Sequence, residues 1–571
     1  MDLPKPKVIQ LGSKDEFKKI FAEVLASKVA LSPVDKKDLD WFVRQYKAGI
    51  LEFLPDKLEN KENIAFLLAT CKTNGVVSDA VVKKYFKTAT DVLRLMVALS
   101  PDGDVSLATP TKLRAFKRSE RKFFLEILEA KGELTEDMLR YKERWIRAGE
   151  ILHPGDYAGR YPKTYKAFTA IRNNHIVHTF AGKFETAIRD KDLQGIIKLA
   201  STRPGEYARR LDWMLRTFPK GLTAILEGFH KVAVNVSSQV LLQLVAHYRA
   251  RPEQTIRAFM PKGSIAKMQV VPFNLKPLSL TTCRKAKLAC EAALISKFST
   301  LDALGTVYVD PVLKDFPIPF ALRSASKSTN VLPRGSKVAL GEGDAVRMFI
   351  YWEQNAKTRR VDIDLSASFY NEDWTKTEHV SWTRLRSQGI QSYHSGDIVS
   401  AGTKGASEFI DVNIEGALKG GMRYLLMQVY SFTGQPYETL PKCYAGAMIR
   451  SKVQSGEIYD PRTVTHKFDL TADATTMVPI MFDLQERKVI WSDMTLTNRA
   501  MYRAVETSRK GVAALGMALT ALPKPHLHDL FTLHGIARGT AAIDIENADH
   551  IFAVDKGITP YDIETITSEY L

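Results

Sequence analysis

Residues 359–370 read Arg-Arg-Val-Asp-Ile-Asp-Leu-Ser-Ala-Ser-Phe-Tyr, and the alternation inside this stretch decides how the middle of the chain folds. Val361, Ile363 and Leu365 alternate with Asp362, Asp364 and Ser366. Successive side chains of a strand point to opposite faces, so the aliphatic set belongs to a core and both carboxylates to the other side. Residues 407–414, Ser-Glu-Phe-Ile-Asp-Val-Asn-Ile, repeat the pattern, with Ile410, Val412 and Ile414 opposed to Phe409, Asp411 and Asn413. Glu408 has the parity of the aliphatic set and joins Asp411 only if the strand begins after it. Between the two stretches, Tyr-His-Ser-Gly-Asp (393–397) leads into a loop containing Gly402 and Gly405. If the two strands share a sheet, the oxygens of Asp362, Asp364, Asp397, Asp411 and Glu408 are expected to converge at one edge. Clustered oxygen ligands without His or Cys suit a hard cation, Ca2+ above all.

The same residues carry a resemblance. Val-Asp-Ile-Asp-Leu-Ser-Ala (361–367), Phe-Tyr-Asn (369–371), His-Ser-Gly-Asp (394–397), Phe-Ile-Asp-Val-Asn-Ile (409–414) and Ala-Met-Ile-Arg (447–450) follow one another as they do in the TerD family of bacterial tellurium-resistance and stress proteins. Leu-Pro-Arg-Gly-Ser-Lys-Val-Ala-Leu (332–340) and Lys-Phe-Asp-Leu-Thr-Ala-Asp-Ala-Thr-Thr (467–476) look like that family's lead-in and late strands. Several ordered motifs over residues 330–495 are more specific than one short match. The resemblance implies a calcium-binding β-sandwich that acts as an interaction or sensing module, with no known catalytic chemistry. The chain departs from the family after His-Ser-Gly-Asp: the family's loop is dense in Asp and Gly, whereas Ile-Val-Ser-Ala-Gly-Thr-Lys-Gly-Ala-Ser (398–407) has no carboxylate and adds Lys404. Fewer anionic ligands and a nearby ammonium weaken divalent-cation binding.

At 571 residues the chain is too long for one core, and a prior of about 150 residues per domain suggests three or four. Its apolar content of 45% and charged content of 25% are ordinary for a soluble globular protein, but its formal net charge of +17 is not. A balance this basic attracts polyanions such as nucleic acid or an anionic membrane surface. Cys71, Cys283, Cys290 and Cys443 are too scattered for a disulfide framework or paired metal-ligand spacing, so a reducing cytoplasm is the simplest home. Met-Asp-Leu-Pro-Lys-Pro-Lys at the amino end lacks a signal peptide's apolar run, and no stretch reaches a membrane span's length. Any membrane contact is therefore expected to be peripheral.

Residues 1–260 read as one helix after another, an irregular bundle or solenoid without a fixed repeat period. Val92, Leu95, Met96 and Leu99 form one stripe, and Ser119 is placed to cap a helix carrying Phe124, Ile127 and Leu128. Thr135 starts another with Met138, Tyr141 and Trp145, Pro204 leads into Ala208, Leu211 and Leu215, and Ser237 or Ser238 opens the next. Residues 261–330 change to breakers (Pro261-Lys-Gly263), a helix near Cys283–Lys297, a strand at Leu304–Asp310 and a polar hand-over run at 322–328, the texture of a small α/β connector. Residues 331–495 form the TerD-like sandwich, punctuated by glycines. Residues 496–571 return to helix, with Asn498–Leu522 as one segment, followed by a short strand and a final helix start. The fold class is thus multidomain α + β. The order of helical half, connector, sandwich and a tail with Leu-His-x-x-Ala-Arg-Gly (533–539) looks like a larger bacterial TerD-domain fusion.

Two further patterns bear on function. Lys117, Arg118, Arg121 and Lys122, with Arg144 and Arg147 in the next segment, interleave with Phe123, Tyr141 and Trp145, a combination able to contact phosphates and stack bases. The bland alternative is a solvated charged face over core aromatics. His175 and His178, and His526, His528 and His534, lack metal-site spacing and are read as ordinary helix or loop residues. The chain has no Gly-x-Ser-x-Gly elbow, Gly-Lys-Ser/Thr phosphate loop or His-Glu-x-x-His. The expectation is a non-enzymatic stress-response scaffold or sensor that binds calcium and protein partners, with no small-molecule substrate. The alternative is a nucleic-acid-binding protein built on the basic helical half.

Overall fold

Helices form where apolar residues recur at helical spacing behind an oxygen-bearing cap. In the computed structural model, which describes residues 11–54, 59–259, 269–320, 331–354, 360–402, 404–456, 464, 466–495 and 505–571, Thr88 caps Ala89–Ala98 in a reciprocal box with Asp91, and the helix buries Val92, Leu95 and Met96. The Pro261–Gly263 breakers, the run at 322–328 and the first turn expected from Asn498 lie outside those residues.

The chain divides into two compact units, one chiefly Gly12–Val240 with Ile563–Leu571, the other Leu241–Pro319 with Ser324–Asp562. The first is helical, and one continuous core runs through it from Phe21 to Ile171. Pro204 does open Pro204–Thr217, and Ser238 begins Ser238–Ala250. Two local expectations fail here. Lys117, not Ser119, holds the cap of Arg118–Glu129, because Glu120, held by Arg114 at 2.5 Å, accepts the Lys117 amide at 2.8 Å. The single helix expected from Thr135 is two, Leu134–Leu139 and Lys142–Leu152, separated at Tyr141 (φ −134°). Asp137 in the first binds Thr90 while Arg144 in the second binds the 107–109 carbonyls, so each piece is aimed by a different neighbour.

The second unit is α + β. β1 (Ile256–Phe259) and β2 (Gln269–Pro272) pair antiparallel, Leu280–Phe298 is a helix burying both Cys283 and Cys290, and β3 (Gly305–Val309) follows. The sandwich strands are β4 (Lys337–Ala339), β5 (Ala345–Glu353), β6 (Ile363–Tyr370), β7 (Thr377–Val380), β8 (Arg386–Ser387), β9 (Ser392–His394), β10 (Ala406–Asn413), β11 (Tyr424–Ser431), β12 (Lys442–Arg450), β13 (His466–Asp469), β14 (Thr476–Asp483) and β15 (Lys488–Thr495). They form two six-stranded antiparallel sheets, ordered β13-β12-β5-β10-β9-β8 and β4-β15-β14-β11-β6-β7. The sheets face each other: Phe468 of one lies 3.7 Å, centroid to centroid, from Trp491 of the other, and the Trp352 indole donates to Val361 O at 3.1 Å.

β6 and β10 therefore lie in opposite sheets rather than sharing one. Period-two alternation specifies which face a residue takes but not which strand becomes its neighbour. Both faces of β6 are buried, and the second face is covered at its Tyr370 end by the helix Val505–Ala521 through Val512, Leu515 and Leu519. Trp374 stacks on Tyr424 there at 4.8 Å, and a Cβ on Gly516 would stand 2.0 Å from the same indole, so only glycine admits the ring.

The connector and the tail are joined. β16 (Gly539–Ala541) and β17 (His550–Phe552) flank β3 in a parallel sheet, and the helix Leu527–Arg538 packs over it with His534 stacked on Phe298 at 3.8 Å. Among the described residues no helix is long and apolar enough to cross a membrane. All four cysteines are buried free thiols.

Candidate metal centre

Asp364 lies in β6 and Asp362 one residue before the strand begins, while Asp397 follows β9 of the facing sheet; oxygens from all three lie within 4.8 Å of one another. Asp362 and Asp364 are each 3% exposed, whereas Asp397 is open to solvent. Arg360 binds Asp362 Oδ2 at 3.0 Å, and the Asp362 amide donates to Thr433 Oγ1 at 3.0 Å. Among the described residues, Asp362 Oδ1 and Asp364 Oδ2 have no hydrogen-bond partner. Burial, compounded by the charges of Asp362, Glu408 and Asp397, pushes the Asp364 carboxyl up to about 8. Burial also raises Asp362, with Arg360 opposing.

Glu408 stands next to this group. β10 begins at Ala406, so Glu408 falls inside the strand with the parity of Ile410 and Val412 and enters the space between the sheets. Its two oxygens accept the amides of Leu365 and Ile398, each at 2.9 Å. His394 Nδ1 accepts the Gly396 amide at 3.1 Å, leaving Nε2 to face Leu365 O at 3.2 Å and Glu408 Oε2 at 3.5 Å. The motif His-Ser-Gly-Asp thus builds a strut beside the Asp397 carboxylate, and that role of His394 was not visible from residue types. Asp411, of opposite parity to Glu408, is on the outer face. Arg347 holds it at 2.6 and 2.8 Å, and the Gln454 amide donates to it at 2.8 Å.

Of the five acidic residues expected to converge, three do, a fourth braces them and the fifth is engaged in an ion pair elsewhere. The donor set would fit a calcium ion: every candidate donor is a carboxylate oxygen, and two buried oxygens lack partners among the described residues. The loop beyond Ile398 adds no acidic group, as the sequence dictates.

Two residues of the basic cluster, Arg144 and Arg147, are engaged within the helical unit. Arg144 donates to Leu107 O and Thr109 O at 3.0 and 2.9 Å, and Arg147 pairs with Glu150 at 2.6 Å. Lys117 and Arg118 are exposed, while Arg121 and Lys122 are half-buried. Phe123 and Trp145 are core residues, and Phe123 already carries Lys72 over its ring at 4.4 Å. His175 and His178 are exposed in a connection, and His526 caps Leu527–Arg538 in a box with Asp529. No family model matches the chain, and no curated protein matches it.

Proposed function

We propose that this chain is a non-enzymatic, TerD-like scaffold or sensor whose sandwich binds calcium through Asp362, Asp364 and Asp397 and so governs its contacts with a partner. The observation that carries the reading is the pair of buried carboxylate oxygens, on Asp362 and Asp364, that lie close to a third carboxylate and meet no donor among the described residues. Buried charges are retained where they are paired or coordinate metals. A bound calcium ion would offset the mutual repulsion of the three carboxylates and tie β6 to the loop after β9, making the sandwich more rigid. Glu408 and His394 position that loop from inside the sandwich. The TerD-like reading rests on the ordered motifs of residues 361–450, several of which line this site.

The test is calorimetric titration of the full chain with calcium, alongside thermal melts in calcium and in chelator. Wild type should bind and melt higher with calcium; Asp362→Asn with Asp364→Asn should lose both responses and keep its far-UV spectrum. No heat and no melting shift at millimolar calcium would overturn the reading. The nucleic-acid alternative is weaker, because Arg144 and Arg147 are spent on internal carbonyls and Glu150 and the interleaved Phe123 and Trp145 are core.

A further inference from the structure

Ile398 and Val399 follow Asp397 directly, and they are 37% and 45% exposed. Leu385, 40% exposed, stands at the same end of the sandwich, since its carbonyl accepts the His394 amide at 2.8 Å where β8 and β9 begin their pairing. The loop is not simply frayed: Glu408 clamps the Ile398 amide from inside, so the backbone is anchored while the side chain projects. Three outward aliphatic groups beside a cation site are costly in water unless something covers them.

The charge at this end depends on the ion. Without it, the exposed Asp397 and the cluster's buried acidic pair behind it leave this end unfavourable for an anionic surface. With calcium bound the acidic cluster is neutralised, Asp397 included, and the exposed Lys404 and the half-exposed Arg360 are left to dominate. Calcium takes six to eight oxygens, more than three carboxylates supply, so positions remain for oxygens from outside the protein.

We infer that this end of the sandwich is a calcium-dependent docking surface for anionic phospholipid bilayers, in which headgroup phosphate oxygens complete the ion's coordination and Ile398, Val399 and Leu385 enter the interface. The inference rests on the calcium reading above and adds the partner. Aliphatic tips on neighbouring loops, flanked by cations, match a surface that is apolar just beneath an anionic layer. A soluble phosphate compound would use the ion but not the aliphatic groups.

The test is co-sedimentation of the full chain with phosphatidylcholine vesicles, with or without phosphatidylserine, in calcium and in chelator, while calcium binding is measured separately by calorimetry. The expected result is pelleting only with phosphatidylserine and calcium, reversed by chelator and not displaced by inorganic phosphate. Ile398→Ser with Val399→Ser should weaken pelleting about tenfold or more, from the lost apolar burial, and leave calcium binding as in wild type. Calcium binding without vesicle binding, or vesicle binding competed away by inorganic phosphate, overturns the docking inference and leaves the calcium site standing. Pelleting unchanged by the double substitution also overturns it, since the basic chain would then be adsorbing elsewhere. Absence of calcium binding itself removes both the site and the docking.

Discussion

Glu408, inside β10 of one sheet, accepts the backbone N–H of Leu365 from β6 of the facing sheet at 2.9 Å. β7 pairs with β6 only from Ala367 to Tyr370, so at Leu365 the strand edge is open, and a side chain from the other layer closes it. The same carboxylate holds Ile398 beside Asp397. Glu408→Gln turns one acceptor into a donor aimed at an amide N–H. It should cost roughly 1–3 kcal/mol, the penalty for leaving a buried donor unmet. Urea unfolding of the variant in chelator measures it, and an unchanged midpoint would contradict the strut.

Asp411 and Asp364 are both buried carboxylates, but their substitutions should act in opposite directions. Asp411 has a bidentate arginine partner, so Asp411→Asn should destabilise the sandwich by roughly 3–5 kcal/mol and leave calcium affinity near wild type. Asp364 has an unpaired oxygen, so Asp364→Asn should raise the melting temperature in chelator and abolish the rise produced by calcium. Melts of both variants in the two conditions separate the roles.

Much of this was legible locally and little of it globally. The alternation of 361–366 marked a strand there, though both faces of β6 are buried, and the expected grouping of Glu408 with Asp411 gives way because β10 begins at Ala406, which sets their side chains on opposite faces. What no local pattern holds is partnership: β6 pairs with β11 and β7, not β10, and β3 finds its neighbours β16 and β17 more than two hundred residues downstream. The unpaired oxygens of Asp362 and Asp364 are likewise a fact about what is missing around them, which only assembled neighbours reveal. The helical half misled in a different way. Arg144 and Trp145 have the composition of a nucleic-acid surface, but burial and internal carbonyls had already claimed them.

Calcium affinity should depend on pH through Asp364. The folded protein keeps this proton up to about pH 8, whereas an unfolded chain releases an aspartate proton near pH 4. The raised value means that in chelator the sandwich is most stable, as far as this group is concerned, at low pH and loses that contribution as pH climbs from about 4 to about 8. Calcium must displace the proton, so its affinity should increase over the range from about pH 6 to about pH 8 and level off above. Titrations across that range in buffers of matched ionic strength test it, and a flat profile would show that Asp364 is already ionised without the ion.

Arg144 should prove to be a structural residue. Its guanidinium satisfies the carbonyls of Leu107 and Thr109 from the adjacent helix, fixing the long connection between Ala98 and Arg118. Arg144→Ala should cost roughly 1–3 kcal/mol by orphaning those acceptors. If it instead left stability unchanged and reduced retention on single-stranded RNA, the interface reading of that helix would be restored.

Gly516 and Trp374 form a contact that a methyl group cannot share. A Cβ at position 516 would stand 2.0 Å from the indole, which is itself held against Tyr424 and Tyr370 at 4.8 and 5.0 Å. In an exposed helix, glycine to alanine is stabilising by about 1 kcal/mol, so the sign of Gly516→Ala reports which effect wins. The clash should win: the variant should lose roughly 1–3 kcal/mol as the helix Val505–Ala521 lifts from the sheet or the ring leaves its stack. In a Trp374→Ala background the obstacle is gone, and the same Gly516→Ala change should become neutral or stabilising. The four urea midpoints close a double-mutant cycle. Equal effects of Gly516→Ala with and without the indole would mean that the helix is not seated on Trp374.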